Sequence, residues 1–270
     1  MKFFEGCTAL VTGASAGLGA EFARQLAPYA HALVLVARRN DRLEELRAEL
    51  SEKFPRLSVY TYAIDLADEG ARHAFAGWLH DQGLRIDFLV NNAGLGDHGA
   101  FESGDWARLR PMLDVNITAL THLTHLLLPG MRSTGRAAIL NVSSVAGFFP
   151  LPNMAVYAAT KAYVTSFSEA LRMELRDTGI SVTALCPGPV PTEFFDIATR
   201  PGEEDHAAHF ETMPAFKVTP AEAVRVGLEA VARDRARVIP GLLLAVAVAI
   251  AAVVPFFVVR QILQTARARI

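Results

Sequence analysis

The run Thr12-Gly13-Ala14-Ser15-Ala16-Gly17-Leu18-Gly19 constrains this chain more than any other stretch. It stands between a short apolar run, Cys7 to Val11, and a helical pattern, Ala20 to Leu26. Strand, glycine turn and helix in that order predict the opening of a dinucleotide-binding α/β unit. Gly13 permits the tight turn, Gly17 lets a pyrophosphate approach the backbone, and Gly19 lets the helix pack close to the strand. The helix N-terminus then offers N–H groups and the positive end of its dipole to phosphates. Ser15, Ala16 and Leu18 belong to the same expected cradle.

Further strands follow at regular intervals. Ala32 to Ala37 is the second, and Arg38 and Arg39 come directly after it. Where such a unit binds NAD, an acidic residue near this strand end takes the ribose 2′-hydroxyl. Here the strand ends in Ala37, and arginine suits a 2′-phosphate through charge-assisted hydrogen bonds. The reading is therefore NADP(H) over NAD(H). Leu57 to Ile64 is the third strand, ending at Asp65-Leu66. Asp65 stands either to accept from an adenine amino group or to cap the helix Asp68 to Gln82. Phe88 to Val90 is the fourth strand and runs into Asn91-Asn92-Ala93-Gly94, a turn expected beside the cofactor at the strand carboxyl ends. Asp105 to Pro129 reads as one long helical stretch around Asn116, whose amide needs a partner if buried. Ile180 to Leu185 is the sixth strand, followed by the stiff segment Cys186 to Phe194, where Thr192 is placed to bond a carboxamide or phosphate.

The fifth strand, Ala137 to Val142, leads to Ser144 and then to a helix, Val156 to Leu175, carrying Tyr157 and Lys161. Residues four apart share a helical face, so the phenol and the ammonium are expected side by side. A neighbouring positive charge favours the phenolate and lowers a tyrosine pKa from about 10. Ser144 lies 13 residues before Tyr157 and is placed to hold a substrate oxygen.

The chain has 270 residues, 51% hydrophobic and 20% charged, with a net charge of −2. That balance leaves no electrostatic footprint for nucleic acid. Cys7 and Cys186 read as buried thiols of a reducing compartment, and the N-terminus carries no secretory pattern, so a cytoplasmic protein is expected. No metal site is expected, because no carboxylate or cysteine cluster accompanies His122 and His125 in sequence.

Taken in order, TGASAGLG at 12–19, NNAG at 91–94, Asn116, Ser144, YAATK at 157–161 and PGPVPT at 187–192 resemble the short-chain dehydrogenase/reductase family. The resemblance covers roughly residues 5 to 240. It implies an α/β, Rossmann-type doubly wound sheet of seven parallel strands flanked by helices. It also implies hydride exchange between a nicotinamide and a carbonyl or alcohol. On that resemblance Tyr157 is the acid/base, Lys161 lowers its pKa and holds the nicotinamide ribose, and Ser144 rather than Ser143 positions the substrate oxygen. Asn116 holds a water in a proton relay. Asn92, with Ala93 and Gly94, faces the adenosine ribose, and Val190 and Thr192, with Pro187 and Gly188, face the carboxamide. A basic residue just before the second motif glycine, common with NADP, is missing: Ala16 stands there. Family members assemble as homodimers or homotetramers.

Residues 1–240 are thus expected to form the catalytic domain, with 241–270 as an apolar helical tail. Gly241 to Val259 is 19 residues without a charge, flanked by arginines on both sides. Its length fits a membrane segment or a monotopic patch. It fits equally a helix buried over the pocket or in a subunit interface, with Pro255 as a kink. The polar stretch Asp196 to Phe216 has the composition of a lid. Phe148, Phe149, Leu151, Met154, Phe194 and Phe195 are the expected pocket for a small apolar carbonyl or alcohol. The alternatives are a membrane-associated reductase of lipid-like carbonyls and a silent NADP-sensing protein.

Overall fold

A computed structural model describes residues 1–132, 135–200, 217–254 and 261. Seven parallel strands form one sheet in the order β3-β2-β1-β4-β5-β6-β7. They are β1 (Thr8–Thr12), β2 (Ala32–Ala37), β3 (Ser58–Ala63), β4 (Phe88–Asn91), β5 (Ala137–Val142), β6 (Ile180–Leu185) and β7 (Arg237–Val238). Every residue of β2, β4 and β5 is buried. Such unbroken apolar strands are what a sheet covered on both faces requires.

Helices α1 (Gly17–Leu26), α2 (Asn40–Lys53) and α8 (Pro220–Ala232) cover one face. There Ala9, Val11, Leu33 and Leu35 meet Phe22, Leu46 and Val224. Helices α3 (Glu69–Asp81), α5 (Leu120–Arg132) and α6 (Ala155–Leu175) cover the other, where Leu10, Val34 and Ile139 meet Phe75, Leu123 and Leu171. The period-two alternation of β1 and β2 thus divides their side chains between two cores. Each fully buried aliphatic side chain contributes about 1.5–3 kcal/mol. The order reverses between β1 and β4, and the loops after these strands open on one edge, where a ligand crevice forms in such sheets.

Several expected boundaries move by a residue or two, and one element changes kind. The stretch expected as a single helix from Asp105 is divided into α4 (Trp106–Leu113), a wider π turn (Asp114–Ala119) and α5. Asn116 sits inside the π turn, a geometry often found at functional sites. Two helices start on side-chain caps, and the first is Asp68 rather than Asp65. Asp68 accepts from Ala71 N at 2.9 Å to start α3, and Thr219 accepts from Glu222 N at 3.2 Å to start α8.

The tail forms α9 (Leu242–Val253). No helix of the described residues is long and apolar enough to cross a membrane. Val248 is buried and α9 touches the turn Val145–Phe148, while Leu242, Leu243, Val246, Ile250 and Val253 are exposed. The described part of the tail is therefore neither a spanning helix nor a fully covered one. The putting of a kink at Pro255, and most of the lid expected up to Phe216, lie outside the described residues.

Candidate active site

At the end of β1 the chain turns through Gly13 and Gly17, both at positive φ (67° and 54°), where a side chain would be strained. A Cβ on Gly19 would lie 2.1 Å from the Gly13 carbonyl oxygen, so only hydrogen fits. The turn is stitched to β4. Thr12 Oγ1 accepts from Asn92 N and Ala93 N, both at 3.0 Å, and Asn92 Nδ2 donates to Thr12 O at 2.9 Å. The side chain of Asn92 is thereby committed to holding the glycine turn.

This turn forms one end of a cavity of about 470 Å³. The cavity wall includes Gly13, Ser15, Ala16, Gly17, Leu18, Arg38, Arg39, Asp65, Leu66, Asn92, Ala93 and Gly94. At its other end stand Ser144, Tyr157, Lys161, Pro187, Gly188, Val190 and Thr192. Of the expected site residues only Gly19 and Asn116 lie behind the wall. Gly19 packs under the turn. Asn116 is a fully engaged buried amide: its Oδ1 accepts from Leu95 N at 2.8 Å, and its Nδ2 donates to Leu95 O at 2.9 Å and Thr160 Oγ1 at 3.0 Å. The side chain is thus a brace behind Gly94, with both amide hydrogens used and one lone pair of Oδ1 remaining.

Lys161 and Tyr157 both lie on the first turns of α6 and are buried. Lys161 Nζ sits 5.7 Å from the Tyr157 ring centre and donates to Val142 O at 2.9 Å. Burial pushes the Tyr157 phenol up to about 12, with the Ser144 hydroxyl pulling the other way. Burial pushes Lys161 down to about 8. The direction is opposite to the lowering expected from Lys161: desolvation of the phenol dominates, and the group that pulls downward is the Ser144 hydroxyl. Ser143 and Ser144 diverge. Ser143 Oγ is bonded to Lys161 O at 2.8 Å and shares a 2.7 Å contact with Thr165. Ser144 Oγ accepts from Ala146 N at 3.1 Å, makes a long 3.5 Å contact to Pro187 O and lies beside the Tyr157 phenol, whose pKa it pulls down. The bond to Pro187 is weak at that length, so the hydroxyl can turn toward a ligand next to Tyr157.

At the nucleotide end Arg38 and Arg39 are both exposed, and Arg39 links Ser15 to Glu193 at the cavity mouth. Its Nε and Nη2 reach Ser15 Oγ at 3.3 Å, and Nη1 pairs with Glu193 at 3.0 Å. Asp65 accepts from Ala67 N at 3.0 Å and holds a turn, while Asp68 does the capping. Thr192 caps α7 (Glu193–Ala198) by accepting from Phe194 N at 3.4 Å. A Cβ on Gly17 would come within 3.3 Å of Thr192 Cβ and Cγ2, so the glycine turn and the Thr192 segment close on each other. The cradle with no room for side chains, two cationic groups at its rim and free backbone N–H groups at the α1 start are a donor set that fits a dinucleotide diphosphate.

Between the ends, Leu95, Leu151, Met154, Phe194, Phe195 and Ile197 make an apolar wall, with the Phe194 ring 5.4 Å from that of Tyr157. Phe148 and Phe149, expected in this wall, are not part of it. Phe148 lies under Arg237, 5.1 Å from its guanidinium carbon, on the side that meets α9.

Three charged residues escaped the sequence reading. Asp97, 4% exposed, accepts from Arg200 Nη2 at 2.6 Å and Arg108 Nε at 3.1 Å. Burial raises its pKa, but the two arginines outweigh that and hold it below the usual carboxylate value. Positions 97, 108 and 200 share no local spacing, so only the fold brings them together. Likewise Glu69 and His73 of α3 come within 4.8 Å of His122, which sequence separation hid. There Arg72 Nε donates to His122 Nδ1 at 2.9 Å, so that nitrogen is already taken.

A family model described as short chain dehydrogenase matches residues 7–201. A sulfoacetaldehyde reductase of Chromohalobacter salexigens is 41% identical over 192 residues, 70% of this chain and 75% of that protein. A short-chain dehydrogenase of Sphingobium yanoikuyae, solved in complex with NADPH, is 32% identical with a TM-score of 0.78 and covers 92% of this chain and 96% of its own. One of Burkholderia phymatum, solved with NAD, is 26% identical with a TM-score of 0.81, covering 92% of this chain and 93% of its own.

Proposed function

The chain belongs to the short-chain dehydrogenase/reductase family, and on that premise we propose that it is an NADP(H)-dependent reductase of an apolar ketone or aldehyde. The observation that carries this is one cavity with the glycine turn and Arg39 at one end and Ser144, Tyr157 and Lys161 at the other. Bound NADPH supplies the hydride to the carbonyl carbon. Ser144 donates a hydrogen bond to the carbonyl oxygen and orients it, keeping its own proton. Tyr157 gives its phenolic proton to that oxygen as negative charge develops there. A phenol pushed up to about 12 stays protonated at neutral pH and so has a proton to give in the reductive direction. Lys161, held against Val142 O, keeps a cation behind the phenol as the proton leaves. The rest of the set holds the cofactor: Gly13, Ser15, Ala16, Gly17 and Leu18 the diphosphate, and Val190 and Thr192 the nicotinamide end.

NADP(H) is preferred because β2 ends in Ala37, with no acid there for a 2′-hydroxyl, and Arg39 lies at the rim with Ser15. An apolar substrate is preferred because the wall around Tyr157 is Leu95, Leu151, Met154, Phe194 and Ile197. Among the described residues the cavity has only Arg38, Arg39 and Lys161 as cations, none of them in that wall. An anionic aldehyde such as the sulfonate taken by the Chromohalobacter relative would find no cationic partner among the described residues of that wall. Residues 1–240 make the catalytic unit, and 241–270 are an appended tail. The test is NADPH consumption over a panel of aryl, alkyl and anionic carbonyls. Turnover of the apolar members supports this function. Silence across the panel with NADPH bound would instead favour a nucleotide-sensing protein.

A second proposal concerns location. Leu242, Leu243, Val246, Ile250 and Val253 present apolar surface on α9, and residues 235–270 contain arginines but no acid. That combination favours lying on an anionic bilayer. Flotation with anionic vesicles tests it: a Leu243→Glu, Val246→Glu variant should stay behind, and equal behaviour of both proteins, floating or not, would remove the idea.

A further inference from the structure

The pocket wall has a support that the chemistry above does not use. Phe194, Phe195 and Ile197 all sit on α7, a helix of six residues that makes little core of its own. What holds its far end is polar. Arg108 of α4 donates through Nη2 to Ile197 O at 2.9 Å and through Nε to Asp97 at 3.1 Å. Arg200 follows α7 after the single residue Thr199. It pairs with Asp97 at 2.6 Å and also donates to Ala100 O at 3.0 Å and Ser103 Oγ at 3.1 Å. His98 N donates to Ala198 O at 3.0 Å, so the loop after β4 and the end of α7 are also joined through backbone.

The contact is tight. A Cβ on Gly96 would lie 2.5 Å from the Phe194 ring, and one on Gly99 would lie 2.4 Å from the Arg200 guanidinium. The loop therefore meets α7 where glycine alone leaves room. One buried carboxylate is shared by two guanidiniums that arrive from separate elements. A carboxylate so placed is strongly directional, because each guanidinium fixes one side of it and losing one leaves that side unpaired away from water.

We propose that Asp97 is a positioning residue that sets the shape of the substrate half of the cavity, by fixing α7 through Arg108 and Arg200. This rests on the assignment of that half to an apolar carbonyl. Loosening the clamp lets Phe194 and Ile197 move against Tyr157. The near end of α7 stays tied to the glycine turn through Glu193 and Arg39 and through Thr192 against Gly17, and no clamp residue bonds to Gly13 to Gly19 itself. Substrate affinity and cofactor affinity should then separate.

The variants are Arg108→Met, Arg108→Lys and Asp97→Asn, with Arg110→Met as a control. Arg110 also lies on α4 but pairs only with exposed or half-buried surface at Asp114. Arg108→Met leaves Asp97 paired with Arg200, so it keeps the test alive if Asp97→Asn does not fold. For a bulky ketone that the wild type reduces, KM should rise about tenfold in Arg108→Met, the usual scale for losing a charged hydrogen bond. The NADPH Kd should stay within about twofold. Arg108→Lys should recover part of the loss, and Arg110→Met should match wild type. In the cofactor-free proteins, amide exchange at 194–198 should speed up in Arg108→Met while that at 17–20 does not.

An unchanged KM together with unchanged exchange at 194–198 overturns the proposal. So does a parallel rise in KM and NADPH Kd, which marks general destabilisation. If the wild type reduces no carbonyl, the proposed function fails, yet the exchange measurement still decides whether the clamp fixes α7.

Discussion

Lys161 Nζ lies 5.7 Å from the centre of the Tyr157 ring and is tied to Val142 O at 2.9 Å, so one turn of α6 and the end of β5 hold a buried ammonium behind a buried phenol. Neither group has its solution acidity. The phenol is pushed up to about 12 and the ammonium down to about 8, both by loss of water.

The lysine has a direct consequence for stability. Its pKa is 10.5 outside the fold and about 8 within it. The unfolded chain therefore binds the extra proton between these values, and stability from this group is present above 10.5 and lost as pH falls through about 8. Lys161→Met removes that dependence. Thermal melts of the cofactor-free proteins from pH 7.5 to 10.5 should show the wild type gaining on the variant by a few degrees. Both proteins share Tyr157, Cys7 and Cys186, whose raised values act in the opposite direction at higher pH. A gap in Tm that stays constant with pH would contradict the burial of a charged lysine.

Arg39 is shared between Ser15 and Glu193, on two sides of the cavity mouth. If it takes a 2′-phosphate, Arg39→Ala should weaken NADPH by about tenfold to a hundredfold, the range for charged hydrogen bonds. NADH binding should change by no more than about twofold. Fluorescence titration of both nucleotides checks this, and equal losses would contradict the phosphate role.

Gly19→Ala places a methyl where the Gly13 oxygen lies 2.1 Å away. The obstacle is backbone, which cannot swing aside as a side chain does. Nucleotide binding should be lost or reduced by more than about tenfold, with the far end of the sheet unaffected. Isothermal titration with NADPH measures it; retained affinity would show that the turn can open.

Much of this site was visible in the order of residues because its parts are local. The glycine turn, the four-residue step from Tyr157 to Lys161 and the strand ends at Ala37 and Asn91 each obey short-range rules of backbone geometry. What was hidden depends on distance in space. Asp97, Arg108 and Arg200 meet only after α4 and α7 are packed. Arg39 finds Glu193 across the cavity, 154 positions on. The π turn at Asp114–Ala119 looks like ordinary helix in sequence, since Asn116 is engaged by Leu95 and Thr160 from other elements. The upward direction of the Tyr157 shift is hidden for a related reason: the four-residue step to Lys161 can be read from spacing, whereas the depth of burial that raises the phenol belongs to the folded chain.

The most direct test is single-turnover reduction of an apolar ketone that the wild type accepts, using NADPH deuterated at the transferable position, in wild type and Tyr157→Phe. The wild type should deliver deuterium to the carbonyl carbon. The variant should bind NADPH with unchanged Kd but transfer deuterium at least about a hundredfold more slowly, the lower range for loss of a general acid. Transfer by Tyr157→Phe at the wild-type rate would contradict the assignment of the phenol as proton donor.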